Sequence, residues 1–223
     1  LNFTYEEAVD LVYKTLDKLD KEFGEIFKVF IENGRIDAFP TKGKTGGAFC
    51  TYNGLNSPIY ILLNFMGKID DLSTIAHETG HGIHNQLSQT HQPSMYREPS
   101  LFTAEIASTF MENFALEEAV KNIDGESKLW LLMGKIDDAV STIIRQIHCY
   151  TFETELHSAF REKGYLSKKC IGEIFTKHMA SYMGDYVEQS VGSENWWVYW
   201  SHIRAYFYVY SYASGLLISK ALQ

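Results

Sequence analysis

Five residues concentrate the chemistry of this sequence: His77-Glu78-Thr79-Gly80-His81, an H-E-x-x-H pattern. On a helix, His77 and His81 stand one turn apart on one face and can aim two imidazoles at a single metal ion. Glu78 lies about 100° round from His77, within reach of a water on that ion yet free not to bind the ion itself. Two nitrogen ligands, a carboxylate base and one open position are the requirements of a hydrolytic zinc site. The helix that must carry them is expected over residues 70–89. Leu72, Ile75 and Ala76 supply its apolar lead-in, and Asp70, Asp71 and Ser73 its helix-start chemistry. The motif alone also fits a surface helix with two histidines and a glutamate, so a third ligand must decide.

The extended pattern H-E-x-x-H-x-x-G-x-x-H fails, because it asks for glycine at position 84 and histidine at position 87, where the chain has His84 and Leu87. A carboxylate from a following helix, expected over residues 101–122, is the other route. There Glu105, Ser108 and Glu112 share one face, and Ile106, Phe110 and Phe114 the opposite one. Glu105 sits among Ala104, Ile106 and Ala107, a poor place for a solvated charge. A buried carboxylate needs a partner or a metal, so Glu105 is taken as the third ligand. Glu112, two turns on, either orients a ligand histidine or is an ordinary solvent-facing glutamate. His84 is read as a satisfied core histidine, with support of the ligands as the alternative.

Two segments now carry a resemblance. His77-Glu78-Thr79-Gly80-His81-Gly82-Ile83-His84 and Phe102-Thr103-Ala104-Glu105-Ile106-Ala107-Ser108-Thr109-Phe110 resemble the oligoendopeptidase F branch of the thimet oligopeptidase family of zinc metallopeptidases. That family's pattern is H-E-x-G-H-x-x-H followed, about two dozen residues later, by A-E-x-A-S-x-x-x-E. The resemblance implies one zinc ion on His77, His81 and Glu105, Glu78 as general base, and short peptides as substrates. It is specific over residues from about 40 to 120 and from 196 to 215, and elsewhere only compatible with a helical scaffold.

The rest of the chain must position these groups. Residues 4–33 read as helical, opened by a Thr4/Glu7 capping box and broken or kinked at Gly24. Two short strands follow, Ala48–Tyr52 and Ile59–Phe65, in a glycine-punctuated stretch. Gly46, Gly47 and Ala48 are small enough for another backbone to approach, so a peptide could add to this edge through main-chain hydrogen bonds. A plain glycine-rich hairpin explains the composition equally, and the resemblance favours Gly47 and Ala48 as substrate-binding. Residues 126–163 read as one long helix or two, with Leu129, Leu132, Ile136, Val140, Ile143 and Ile147 as a core stripe and Glu153 and Glu155 on a solvated face. A further helix runs from Ser167 to Tyr186. The fold class is therefore mainly α, a multi-helix zincin-like catalytic core with one small β-sheet or hairpin beside the zinc helix.

The segment Trp196 to Gly215 holds His202 and Tyr199, Tyr206, Tyr208, Tyr210 and Tyr212. So many phenols exceed what core packing asks for, since each buried hydroxyl needs a partner. Phenol and imidazole donors suit a developing oxyanion. Phe207–Gly215 is similar to the family's F-Y-x-Y-x-Y-A-x-G element, which implies His202 and Tyr208 as catalytic and Tyr210 and Tyr212 as substrate-binding. An unbroken helix would not place all three tyrosines on one face.

Composition sets outer limits. The 223 residues are 45% hydrophobic, enough for one large globular domain, expected over 1–223. The net charge of −8 argues against nucleic acid as a partner. No apolar run reaches the length of a membrane span, and the first residues have neither the basic nor the apolar region of a signal peptide. Three cysteines without ligand spacing fit a reducing compartment, so a cytoplasmic location is expected. In view of the resemblance, the chain is expected to be a C-terminal catalytic piece lacking an N-terminal helical half. Two rivals stand beside the oligopeptidase reading: a related zinc exopeptidase, and a metal-binding but inactive piece.

Overall fold

The computed structural model describes residues 2–54, 57–121, 123 and 125–223. Thr4 opens α1 (Tyr5–Leu19) with the expected capping box: its Oγ1 accepts the Glu7 N–H at 3.1 Å, and Glu7 Oε2 accepts the Thr4 N–H at 2.8 Å. The expected break at Gly24 is corrected to Asp20. Asp20 is extended (φ −155°, ψ 135°), ends α1, and caps α2 (Lys21–Glu32) by accepting the Glu22 N–H at 2.8 Å. A side chain that satisfies an orphan amide stops and restarts a helix more decisively than a glycine loosens one.

Three strands make one sheet: β1 (Ile36–Asp37), β2 (Phe49–Tyr52) and β3 (Ile59–Leu62). The order is β1-β3-β2, with β3 parallel to β1 and antiparallel to β2. The two-residue β1 is too short to leave a periodic signal. Ile59 and Ile61 point into the core and Tyr60 outward, the alternation of a half-buried strand. β2 is an edge strand.

Next comes α3 (Ile69–His91), where Asp71 Oδ2 accepts the Met66 and Lys68 N–H groups at 3.0 and 2.7 Å. The helix expected from residue 101 starts later, as α4 (Ile106–Val120), with Glu105 at its N-cap. α5 (Gly125–Val140) and α6 (Gln146–Lys163) are joined by a π-helical turn, Ser141–Arg145. Ser167 caps α7 (Lys168–Met183) by accepting the Cys170 N–H at 3.2 Å. Short 3₁₀ turns at Ser193–Val198 and Ser201–Arg204 lead to α8 (Tyr210–Leu222). The protein is thus mainly helical with one small sheet, as the sequence leads one to expect.

Two apolar clusters organise these elements. In the first, α1, α2, β3, α3 and α4 pack through residues such as Leu16, Phe27, Phe30, Ile61 and Leu72. In the second, Cys149 and Phe152 of α6 meet Phe175 and Met179 of α7, Trp200 and Val209. α3 packs extensively on α4, α4 on α8, and α8 on α6, which joins the two clusters. Two sequence expectations fail here. The α5–α6 stripe is not core, because Leu129, Leu132, Ile136, Val140 and Ile147 are exposed. Periodicity marks an amphipathic face but not what covers it. Glu153 is not solvated but wholly buried, since its face of α6 turns toward the second cluster.

Candidate metal centre

The seam between the two clusters holds the chemistry. α3 contributes His77, Glu78 and His81, and Glu105 arrives from the end of the loop before α4. Close backbone approach makes this possible. A Cβ on Gly80 would lie 2.6 Å from Ser108 Cα, so glycine lets α3 touch the first turn of α4. A Cβ on Gly215 would lie 2.6 Å from Glu105 Cβ, so glycine lets α8 cross over Glu105. The Glu105 carbonyl accepts the Thr109 hydroxyl at 2.6 Å and the Ser108 hydroxyl at 3.1 Å.

Glu105 Oε2 lies 3.4 Å from His77 Nε2 and 3.5 Å from His81 Nε2. Two ligands at about 2.0–2.1 Å on a tetrahedral zinc stand about 3.4 Å apart. The second nitrogen of His77 and the second oxygen of Glu105 are already engaged. His77 Nδ1–H donates to Glu112 Oε2 at 2.9 Å, Glu112 Oε1 accepts the Ser73 hydroxyl at 2.8 Å, and Glu105 Oε1 accepts the Tyr208 hydroxyl at 3.0 Å. The donor atoms of His77, His81 and Glu105 all lie within 4.8 Å of one another, and this is the only such group of three among the described residues. The donor set and its spacing fit a single divalent ion.

The electrostatics agree. Burial opposes the charge on Glu105, but hydrogen bonds from His77 and His81 overcome it and hold the carboxyl well below the usual range. Burial likewise opposes charge on His77, and the bonds to Glu105 and Glu112 outweigh it, raising this imidazole to about 10. The site therefore draws positive charge, which a proton or a metal dication can supply. Burial raises the Glu78 carboxyl, opposed by His77 and His81, with Glu105 adding to the rise and the Cys50 backbone hydrogen bond lowering it.

A cavity of about 410 Å³ opens over these groups. Ala48, Phe49 and Cys50 of the β2 region line it, together with His202, Tyr208 and Tyr212. The Tyr212 hydroxyl and His202 Nε2 are hydrogen-bonded at 2.9 Å, and the His202 ring stacks on Tyr208 with centroids 5.2 Å apart. Burial, then Glu105, pushes both phenols up, so they stay protonated donors. Burial pushes His202 down, against Glu105. Gly47 is exposed beside the cavity, and its carbonyl accepts the Asn64 side-chain N–H at 2.7 Å. Tyr210 is not brought to the cavity; its ring lies on Tyr150, centroids 6.1 Å apart. His84 faces the cavity rather than the core, and burial, then His81, lowers it. Cys50 and Asn85 also line the cavity without having been singled out in the sequence. Only the alternation of β2 could have pointed to Cys50.

The loop before Tyr208 is strained. Tyr206 and Phe207 have φ of +42° and +59°, and the left-handed region costs a non-glycine residue roughly 1–2 kcal/mol. Tyr208 and Tyr212, four residues apart, lie on one side of the chain after this turn and line the cavity, while Tyr210 between them turns away.

Fold and site together define a helical protein with a two-histidine, one-carboxylate cluster of the kind that holds one divalent metal. Comparison with known proteins makes this specific. The profile of peptidase family M3 matches residues 3–223. Oligopeptidase PepF of Bacillus subtilis is 32% identical over 225 residues, covering 100% of this chain and 33% of that protein. Group B oligopeptidase PepB of Streptococcus agalactiae is 30% identical over 228 residues, covering 100% of this chain and 37% of that protein. The solved structure of PZ peptidase A with an inhibitor has a like fold, with a TM-score of 0.78 at 24% identity over 95% of this chain and 37% of that one. The chain belongs to peptidase family M3, a metallopeptidase family, and spans about a third of the length of the curated relatives it matches. The match runs well beyond the two segments in which sequence motifs carry the resemblance. No helix among the described residues is long and apolar enough to cross a membrane.

Proposed function

We propose that the chain carries the catalytic site of a zinc-dependent endopeptidase that hydrolyses internal bonds of short peptides. The observation that carries this reading is the convergence of His77, His81 and Glu105 beside a buried Glu78 at the floor of an open cavity. Bound there, zinc would supply Lewis acidity and lower the pKa of a coordinated water. His77, His81 and Glu105 hold the ion, and Glu112 fixes the tautomer and orientation of His77 through the Nδ1–H bond. Glu78 takes the proton of the attacking water and passes it to the leaving amine, a task helped by a carboxyl raised through burial. Tyr208, Tyr212 and His202 carry the protons an oxyanion would draw from their present partners, Glu105 Oε1 for the Tyr208 hydroxyl and one another for Tyr212 and His202. A substrate peptide adds to the β2 edge near Gly47 and Ala48 by main-chain hydrogen bonds, which accounts for cleavage with loose side-chain preference. Tyr210 has no part in this scheme.

A second reading follows from the chain's covering only a third of its relatives: a metal-binding unit that turns over substrate only with the rest of a longer chain. The test is hydrolysis of short peptides blocked at both ends, with and without chelator. Internal cleavage that stops with chelator and returns with zinc supports the endopeptidase. Cleavage restricted to peptides with a free terminus indicates an exopeptidase. A zinc-loaded but inactive protein indicates the second reading.

A further inference from the structure

Three carboxylates are buried among the described residues: Glu78, Glu105 and Glu153. The first two belong to the cavity. Glu153, on α6, is fully buried and has no task in the chemistry above. Its Oε1 accepts the Phe207 N–H at 2.7 Å and lies 3.7 Å from His157 Nε2. Its Oε2 takes no hydrogen bond among the described residues. A carboxylate kept in the interior with so little compensation is costly, and a space-filling side chain would avoid that cost.

The group it holds is the telling one. Phe207 is the second of two consecutive non-glycine residues with left-handed φ, and Tyr208 follows it. Such a turn persists only where its surroundings over-determine it. Three residues of one α6 face do so. Glu153 binds the amide, while Tyr150 and His157 flank the Phe207 ring with centroids 5.8 and 5.0 Å away. Beyond the turn, wholly buried Val209 anchors the chain in the second cluster. The Tyr208 hydroxyl then falls 3.0 Å from Glu105 Oε1.

We propose that Glu153 is a positioning residue for Tyr208: its carboxylate holds the Phe207 N–H and so fixes the left-handed turn that delivers the Tyr208 hydroxyl to Glu105. The consequence for turnover rests on the endopeptidase reading, whereas the consequence for the turn does not.

The experiment pairs amide hydrogen exchange over residues 205–209 with kinetics of Glu153→Met, Glu153→Gln, Tyr208→Phe and the Glu153→Met/Tyr208→Phe double variant, all in the intact protein. Glu153→Met is expected to speed exchange at Phe207 about ten-fold, with α3 and α4 amides unchanged. Glu153→Gln, whose neutral carbonyl accepts the same N–H more weakly, is expected to fall between Met and wild type. In turnover, Glu153→Met is expected to lower kcat about ten-fold with KM nearly unchanged. Added to Tyr208→Phe, it is expected to cost no more than about two-fold further, because the two residues act as one unit. A loss that multiplies in full in the double variant, or unchanged exchange at Phe207 in both Glu153 variants, would overturn the proposal. Should Glu153→Met not fold, Glu153→Gln decides alone: faster exchange confined to the turn supports the proposal, and unchanged exchange overturns it. A wild-type protein without peptidase activity but with the predicted exchange pattern would sink the functional reading and leave the positioning role standing.

Discussion

Gly215 and Glu105 touch backbone to side chain: a Cβ at position 215 would lie 2.6 Å from Glu105 Cβ and 2.9 Å from its carbonyl carbon. One helix is thereby pressed against the residue that supplies the only carboxylate of the donor cluster. Gly215→Ala must displace one of them. Metal affinity is expected to fall roughly 10–100-fold, the range seen when ligand orientation is disturbed. Titration with zinc against a competing chelator measures it, and wild-type affinity would show that the contact can relax without moving Glu105.

Glu112 reaches the donor cluster through His77, by the 2.9 Å bond to Nδ1, so under the proposed function it would act on the metal through that imidazole. Glu112→Ala is expected to weaken metal binding by roughly 10–100-fold while leaving the fold intact. Glu112→Gln, which retains an acceptor, is expected to lose less. The same chelator competition measures both, with circular dichroism as the control for folding.

Glu78 should separate binding from chemistry. Glu78→Gln is expected to keep its metal and to lose roughly 10²–10⁴-fold in kcat, the usual contribution of a general base. The sign of its pH dependence follows from its raised carboxyl. In the metal-free protein the carboxylate is lost as pH falls through a pKa above that of an ordinary glutamate, and a bound dication opposes the rise, so proton uptake by Glu78 should move to lower pH when zinc is added. Near-normal turnover by the variant would assign the proton transfer elsewhere.

Much of this arrangement is legible in the sequence, and the boundary has physical causes. The i, i+4 histidines and the odd setting of Glu105 are local facts, and helix geometry carries them directly into space. Thr4 and Ser167 announce their helices in the same way. Asp20 escapes notice because capping competes with an apolar period that runs through it. The exposed stripe of Leu129, Leu132 and Ile136 and the buried Glu153 err in opposite directions for one reason: periodicity identifies faces, while burial depends on which distant element arrives. Gly80 and Gly215 are similar cases, since only tertiary contact explains why a side chain is forbidden there. Helix spacing already sets Tyr210 apart from Tyr208 and Tyr212; what the sequence hides is the left-handed turn at Tyr206 and Phe207 from which this run starts.

The cysteines offer a check on the interior. Burial, then Glu78, raises the Cys50 thiol to about 12, and burial, then Glu153, with Arg145 opposing, raises Cys149 to about 11. Both folded-state values lie above the unfolded thiol, so the stability they protect is complete below about pH 8.5. It is lost as pH rises through the folded values. At pH 8 both thiols should therefore alkylate far more slowly in the folded protein than in the urea-unfolded chain, as mass mapping after a short iodoacetamide pulse would record. Rapid labelling of Cys50 would contradict the raised thiol that burial gives it.

The central claim is that His77, His81 and Glu105 together hold one metal ion. Elemental analysis of the purified intact protein, beside His77→Ala and Glu105→Ala, tests it most directly. About one zinc per chain in the wild type, lost in both variants, is the predicted result. Zinc retained at full content in either variant, or no metal in the wild type even after zinc is added, would contradict it.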